Sequence, residues 1–254
     1  MGIHSNERQD KIFSMLESRG KMSVSDLAEY FQVTETTIRR DLITMEENQQ
    51  IVRRRGFAEL PLQFNSGLRR RNTFQEEKQR IARKAVELIN YGTTLALDSG
   101  TSVAELVHVL ADEGRDMGID IITASIQTAS ETCRFFRTSM PGGYVFPDEV
   151  SIGGMSAVRF LEGVTTDIAF LGTTGICNTK GLTVSYPLMM DVKRALLSSA
   201  SKKIALVDSS KFLSRGIYTY CSFRELDTLI TVRTEENAPV LDEIAKQGVE
   251  IILA

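Results

Sequence analysis

Three cysteines and two histidines among 254 residues leave this chain little scope for disulfide or metal chemistry. Cys133, Cys177 and Cys221 lie far apart with no paired spacing, so they read as buried thiols in a reducing compartment. His4 and His108 join no cysteine or carboxylate cluster, so no metal site is expected and His108 reads as a packed surface residue. No cysteine has a histidine nearby in sequence, which leaves nucleophilic catalysis without local support. No apolar run reaches membrane-spanning length, and the stretch from Met1 to Asp10 is polar and mixed in charge, unlike an export signal. These absences point to a cytoplasmic protein with no membrane partner and no cofactor. A large charge of one sign is also missing. The formal net charge is −3, with 14 Lys/Arg against 12 Asp/Glu in residues 1–80 and 16 against 21 in the remainder. Any contact with nucleic acid therefore has to come from local clusters.

Such clusters stand in the first sixty residues. One helical pattern runs from about Asn6 to Ser18, with Ile12, Met15 and Leu16 on one face and Gly20 as a stop. A second starts at Ser23, a capping residue answered by Asp26, and buries Val24, Leu27, Ala28 and Phe31. After a break at Gln32-Val33, a third starts at Thr34 and buries Ile38, Leu42 and Met45. At 100° per residue, Thr36 and Arg40 point away from that stripe, with Thr37 and Arg39 on its flanks. Hydroxyls and guanidinium forks at a helix start suit phosphate oxygens and the N7/O6 edge of guanine. Asp41 lies nearer the buried edge, where it is expected to hold a basic side chain. Residues Ile51 to Leu60 then read as two short strands around an Arg-Gly turn, with Arg53, Arg54 and Arg55 at the tip. A hairpin behind such a trio is a wing, whose cations meet phosphate or the minor groove. A small bundle or dimerisation unit with a solvated charge run is the alternative.

The stretch from Ser23 to Leu42, and above all Thr37-Ile38-Arg39-Arg40-Asp41-Leu42, resembles the DeoR family of bacterial regulators of sugar metabolism. The resemblance implies that the helix from Thr34 is the recognition helix. It also implies a double-stranded operator as partner, read by Thr34, Thr36, Thr37, Arg39, Arg40 and the three wing arginines. The family's second wing glycine is replaced by Phe57, so the wing is expected to turn differently.

Residues 61–75 are irregular (Pro61, Asn65, Ser66, Gly67, then Arg69-Arg70-Arg71) and read as a linker between a winged helix-turn-helix, 1–60, and a larger domain, 76–254. That domain opens on a helix with Ile81, Ala82, Ala85, Leu88 and Ile89 on its apolar side. Strands are expected at Thr93–Leu97, Ile119–Thr123, Ile168–Leu171, Ile204–Val207, Leu229–Val232 and Val249–Leu253, and helices after Ser102 and Ser125 and near Leu188–Ser201 and Ala238–Gln247. Alternating β and α with near-continuous apolar strands predicts an α/β fold with a mostly parallel sheet, which binds ligands beyond the carboxyl ends of its strands.

The loops at those ends share a chemistry. Ser99-Gly100-Thr101-Ser102 leads from a strand into a helix start and suits a phosphate, although such loops are often only caps. Asp98 before it can accept from sugar hydroxyls. Further strand ends carry Thr123-Ala124-Ser125, Gly172-Thr173-Thr174-Gly175 and Asp208-Ser209-Ser210-Lys211, the last with an ammonium to neutralise a phosphate.

This half also resembles the DeoR family, through Glu77-Lys78, Leu97 to Ser102, Gly153-Gly154, Asp167 to Gly175 and Asp208 to Phe212. The resemblance implies a sensor similar to ribose-5-phosphate isomerase that binds a phosphorylated sugar or related metabolite. Its expected contacts are Lys78, Asp98 to Ser102, Thr123, Ser125, Gly153, Gly154, Gly172 to Gly175 and Lys211. Ala124 and Thr173-Thr174 depart from the family's usual residues and leave the sugar open. The expectation is a repressor, acting as a homodimer or homotetramer and released by its effector, with no catalytic residues. The alternative is a sugar-phosphate isomerase with an accessory DNA-binding domain, for which Asp98, Asp167 or Lys211 would supply acid–base groups.

Overall fold

The computed structural model describes residues 5–19, 21–48, 50–59, 74–112, 117–146 and 149–254. His4, Leu60 and residues 61–73 of the expected linker, with Arg69-Arg70-Arg71, lie outside them. The chain divides into two units, Met1–Asn65 and Ser66–Ala254.

In the first unit, helix α1 (Ser5–Arg19) leads through strand β1 (Lys21–Ser23) into α2 (Val24–Phe31), then α3 (Glu35–Glu47) and a hairpin of β2 (Val52–Arg54) and β3 (Phe57–Glu59). The three apolar stripes meet in one core, where Ile12, Leu16, Leu27, Ile38 and Met45 lose all solvent exposure. The Ser23 hydroxyl accepts the Asp26 N–H at 3.0 Å and so caps α2. The α2–α3 turn runs through Gln32 in a left-handed conformation (φ 53°), and the Val33 N–H closes on Ala28 O at 3.0 Å. Thr34 caps α3 by accepting the Thr37 N–H at 3.3 Å. β1 was not expected. Its three residues pair antiparallel with β3, Met22 opposite Ala58, giving a three-stranded sheet of order β1-β3-β2. Gly56 takes the positive φ of the turn (86°), while Phe57 lies in β3 and pairs with Arg54 and Ser23. One glycine is therefore enough for this wing.

The second unit opens on α4 (Gln75–Val86) and alternates through β4 (Thr94–Leu97), α5 (Thr101–Asp112), β5 (Asp120–Thr123), α6 (Ile126–Thr132) and β6 (Arg137–Ser139). A hairpin of β7 (Tyr144–Phe146) and β8 (Ser151–Gly153) precedes α7 (Met155–Glu162). After these come β9 (Thr166–Leu171), β10 (Gly181–Val184), α8 (Pro187–Ser198), β11 (Ala200–Val207), β12 (Tyr218–Ser222), β13 (Thr228–Thr231), α9 (Ala238–Ala245) and β14 (Glu250–Leu253). Seven strands form one parallel sheet of order β14-β13-β11-β9-β4-β5-β6.

Alternate residues of its central strands enter different cores. Leu95, Leu97, Phe170, Ile204 and Leu206 pack with α4 and α5, whereas Ala96, Ala169, Leu171, Ala205 and Val207 pack with α7, α8 and α9. Burial on both faces is why these strands read as unbroken apolar runs. The expected helix Leu188–Ser201 ends earlier, at Ser198, because Ala200 and Ser201 already belong to β11. β10 and β12 form an antiparallel pair outside the main sheet. Strand order reverses between β4 and β9, and such a reversal opens a crevice at the carboxyl ends of the two strands.

Candidate functional site

The outward face of α3 carries Thr36, Arg39 and Arg40, all exposed. Arg39 is held one turn back by Glu35 at 2.7 Å, whereas the Arg40 guanidinium has no ion-pair or hydrogen-bond partner among the described residues. Thr34 and Thr37 are less available, since their hydroxyls lie 3.0 Å apart and close the cap. In the hairpin, Arg53 approaches Glu46 (3.7 Å) and Arg54 donates to Glu59 (2.9 Å), while Arg55 stands exposed at the turn. Exposed pairs of this kind are worth at most about 1 kcal/mol, so a phosphate can displace them. Asp41 is buried. It receives Arg8 from α1 at 2.5 Å and the Ser5 hydroxyl at 2.7 Å, so the cation it holds braces α3 against α1.

In the second unit a cavity lies at the β4/β9 reversal. Its lining includes Ser99, Gly100, Thr101 and Ser102 at the start of α5, Ser125 and Gln127 at the start of α6, and Gly172, Thr173 and Thr174 after β9. Glu149, Tyr186, Lys193 and Lys211 add to its polar wall. The first-turn N–H groups of α5 lack intrahelical acceptors and bring the positive end of the helix dipole to this wall. Gly100 and Gly172 are needed for close approach: a Cβ on Gly172 would lie 2.9 Å from the Gly100 Cα.

Several expected contacts are placed elsewhere. The Asp98 carboxylate is buried behind the wall, where it accepts the N–H groups of Ser99 (2.7 Å) and Gly172 (2.8 Å) and pairs with Lys193. It holds loops together rather than presenting an acceptor to a sugar. The Thr123 hydroxyl donates to Leu97 O at 2.6 Å and has no exposure. Gly153 sits in β8 under the Phe146 ring, Gly154 caps α7, and Gly175 packs against the Ser214 backbone. None of these reaches the lining, nor does Lys78, which is buried. The Thr173 hydroxyl accepts the Thr183 N–H at 2.9 Å and so serves its own loop. The Ser125 hydroxyl caps α6.

Behind Lys211, burial alone would raise the Asp208 carboxyl, but Lys211, Lys78 and the Ser210 hydrogen bonds outweigh it and hold the group below its ordinary range. Burial raises Glu77, which accepts both the N–H and the hydroxyl of Ser209. Burial, then Asp98, pushes the Tyr220 phenol well above its usual range, so it stays a neutral donor to Gly172 O at 2.6 Å.

Lys193, Gln127, Glu149 and Tyr186 were not anticipated. Lys193 did leave a signal: it stands among Met189, Val192 and Leu196 on the buried stripe of α8, where an unpaired lysine is disfavoured. Of the acid–base trio, Asp167 lies near the amino end of β9, where it accepts the Thr94 N–H at 2.7 Å, at the opposite end of the sheet from the cavity.

Residues 8–63 match the DeoR-like helix-turn-helix domain, and residues 73–233 match the DeoR C-terminal sensor domain. The chain is 31% identical over 257 residues to the HTH-type transcriptional repressor GlcR of Bacillus subtilis (strain 168), covering 99% of this chain and 97% of that protein. It is 30% identical over 233 residues to the glycerol-3-phosphate regulon repressor of Escherichia coli (strain K12), covering 90% and 91%. Among solved structures, the sorbitol operon regulator SorC of Klebsiella pneumoniae aligns at TM-score 0.43 and 15% identity, over 87% of this chain and 93% of that one. Ribose 5-phosphate isomerase A of Methanocaldococcus jannaschii aligns at TM-score 0.40 and 19% identity, over 54% of each chain. With a winged helix-turn-helix in its first unit and a parallel α/β sensor in its second, the chain belongs to the DeoR family of DNA-binding transcriptional regulators.

Proposed function

We propose that this regulator represses sugar-catabolism genes and is released from its operator by a phosphorylated sugar. The observation that carries the effector class is the cavity itself, where the start of α5 and two lysines, Lys193 and Lys211, face one space. Gln127, Glu149 and Tyr186 stand on the same wall and suit the hydroxyls and ring face of a sugar. The repressor names of two relatives support the sign of regulation. Helix-turn-helix proteins read paired half-sites, so the working form is a homodimer or homotetramer in the cytoplasm.

The chain acts without turnover. An isomerase needs a carboxylate or amine positioned at the carbon acid; of Asp98, Asp167 and Lys211 only Lys211 lines the cavity, and the relatives named as repressors support a sensor over an enzyme. A thermal-shift screen of sugar phosphates and their free sugars, joined to a footprint on the gene's own upstream region, tests the reading. A phosphate that raises the melting temperature and releases the footprint is the expected result. Equal shifts by the free sugar would reduce the loop to a helix cap, and conversion of the phosphate to an isomer would restore the enzyme.

A further inference from the structure

A phosphate monoester brings close to two negative charges at neutral pH. Lys211 supplies one positive charge, and the start of α5 supplies the equivalent of about half of one. Among the described residues the remaining positive group on the wall is Lys193, and it already has a partner. Its ammonium pairs with Asp98 and lies 3.5 Å from Gly172 O, with the Tyr220 ring centroid 5.3 Å away. The ion pair is nearly dry, with side-chain exposures of 8% for Lys193 and 4% for Asp98.

Resting on the phosphate reading of the cavity, we propose that Lys193 is a ligand-binding residue that Asp98 and the phosphate share. In the empty cavity Asp98 neutralises it; when an anion enters, the ammonium turns part of its donor set to the phosphate. Two features make the exchange inexpensive. Asp98 keeps two backbone donors, the N–H groups of Ser99 and Gly172, when Lys193 turns away. Lys193 keeps its seat beside the Tyr220 ring, whose hydroxyl is fixed on Gly172 O.

The exchange also gives the cavity a link to the fold. Asp98 follows β4, Gly172 follows β9 and Lys193 lies in α8, so the pair ties together three elements that meet at the strand reversal. A ligand that draws on Lys193 loosens α8 from β4. Asp98 sets the strength of anion binding by competing for the lysine, without touching the ligand.

The two partners should therefore have opposite effects, which a simple structural brace would not produce. Calorimetric titration of the full chain with inorganic phosphate and with glucose 6-phosphate, for wild type, Lys193→Met, Lys193→Arg and Asp98→Asn, is the test. Lys193→Met should weaken phosphate about ten- to hundredfold, the usual worth of a hydrogen bond to a charged group. Lys193→Arg should retain most of the affinity. Asp98→Asn, its fold checked by circular dichroism, should bind phosphate at least about fivefold more tightly, the lower end of ordinary coupling between sites. Weakening by Asp98→Asn and Lys193→Met alike, or a Lys193→Met variant that binds as wild type does, would overturn the role of Lys193 and leave the phosphate cavity standing. If Asp98→Asn does not fold, equal losses in the Met and Arg variants overturn it. A wild-type chain that binds neither probe refutes the phosphate reading itself.

Discussion

Adjacent arginines on α3 differ in what holds them. Arg39 is tethered to Glu35, whereas the Arg40 guanidinium projects from the face opposite Ile38 and Leu42 with no partner among the described residues. Arg40→Ala should therefore cost about 1–3 kcal/mol of specific operator binding, the worth of one bidentate base contact. It should leave the melting temperature unchanged; a gel shift on the footprinted operator measures the loss. Asp208 illustrates a different economy. Its carboxyl titrates below the ordinary 3.8, so the stabilisation it gives is complete above that value and is lost as pH falls through the lower folded value. Glu77, raised by burial, acts in the opposite sense: its stabilisation is present at low pH and fades as pH rises through the folded value. Asp208→Asn should flatten the acid limb of the stability profile. It should cost about 3 kcal/mol near neutrality, the low end for stripping one partner from buried charges. Urea melts from about pH 3 to about pH 7 would show both effects.

At the scale of elements, the wing and the helix it follows should be separable by salt. Glu46 and Glu59 temper Arg53 and Arg54, and Arg55 sits at the turn. Replacing all three by alanine should weaken binding to every sequence alike and flatten the log–log salt dependence by about 0.9 for each phosphate that is no longer neutralised. A changed sequence preference with an unaltered slope would instead assign base reading to the wing. α2 and α3 were legible because stripe and cap coincide: Ser23 with Asp26 and Thr34 with Thr37 mark the starts that the apolar spacing requires. β1, β6, β7, β8, β10 and β12 were not, and nor was α7. Three to five residues carry too little alternation to read, and each strand exists only because its partner lies alongside.

At the scale of the molecule, the sensor should behave as a linked system. A sugar phosphate at about a hundred times its dissociation constant should stabilise the folded chain by about 2.7 kcal/mol. Linkage then requires operator DNA to weaken effector binding by the same factor by which the effector weakens DNA binding. Lys211→Ala should shrink the thermal shift and leave operator affinity intact, giving a repressor that no longer releases. Full release of Lys211→Ala from DNA at the wild-type effector concentration would place the phosphate elsewhere in the cavity.

By itself the sequence determined the three helices and hairpin of the first unit, six of the seven strands of the parallel sheet, the exposed face of α3 and the Ser/Gly/Thr loops at the strand ends. All of these are written in periodicity, caps and residue type within a few positions of one another. The tertiary structure alone decided which of those polar residues face a common space. Asp98, Thr123, Gly153, Gly154 and Gly175 had the right chemistry at plausible loop positions, yet they brace loops or turns outside the cavity lining. Lys193, from a helix distant in sequence, reaches the wall because α8 packs across β4 and β9. The physical reason is that a hydrogen-bonding group serves whichever partner is nearest once the chain is packed, and that distance depends on contacts between residues as far apart as Asp98 and Lys193.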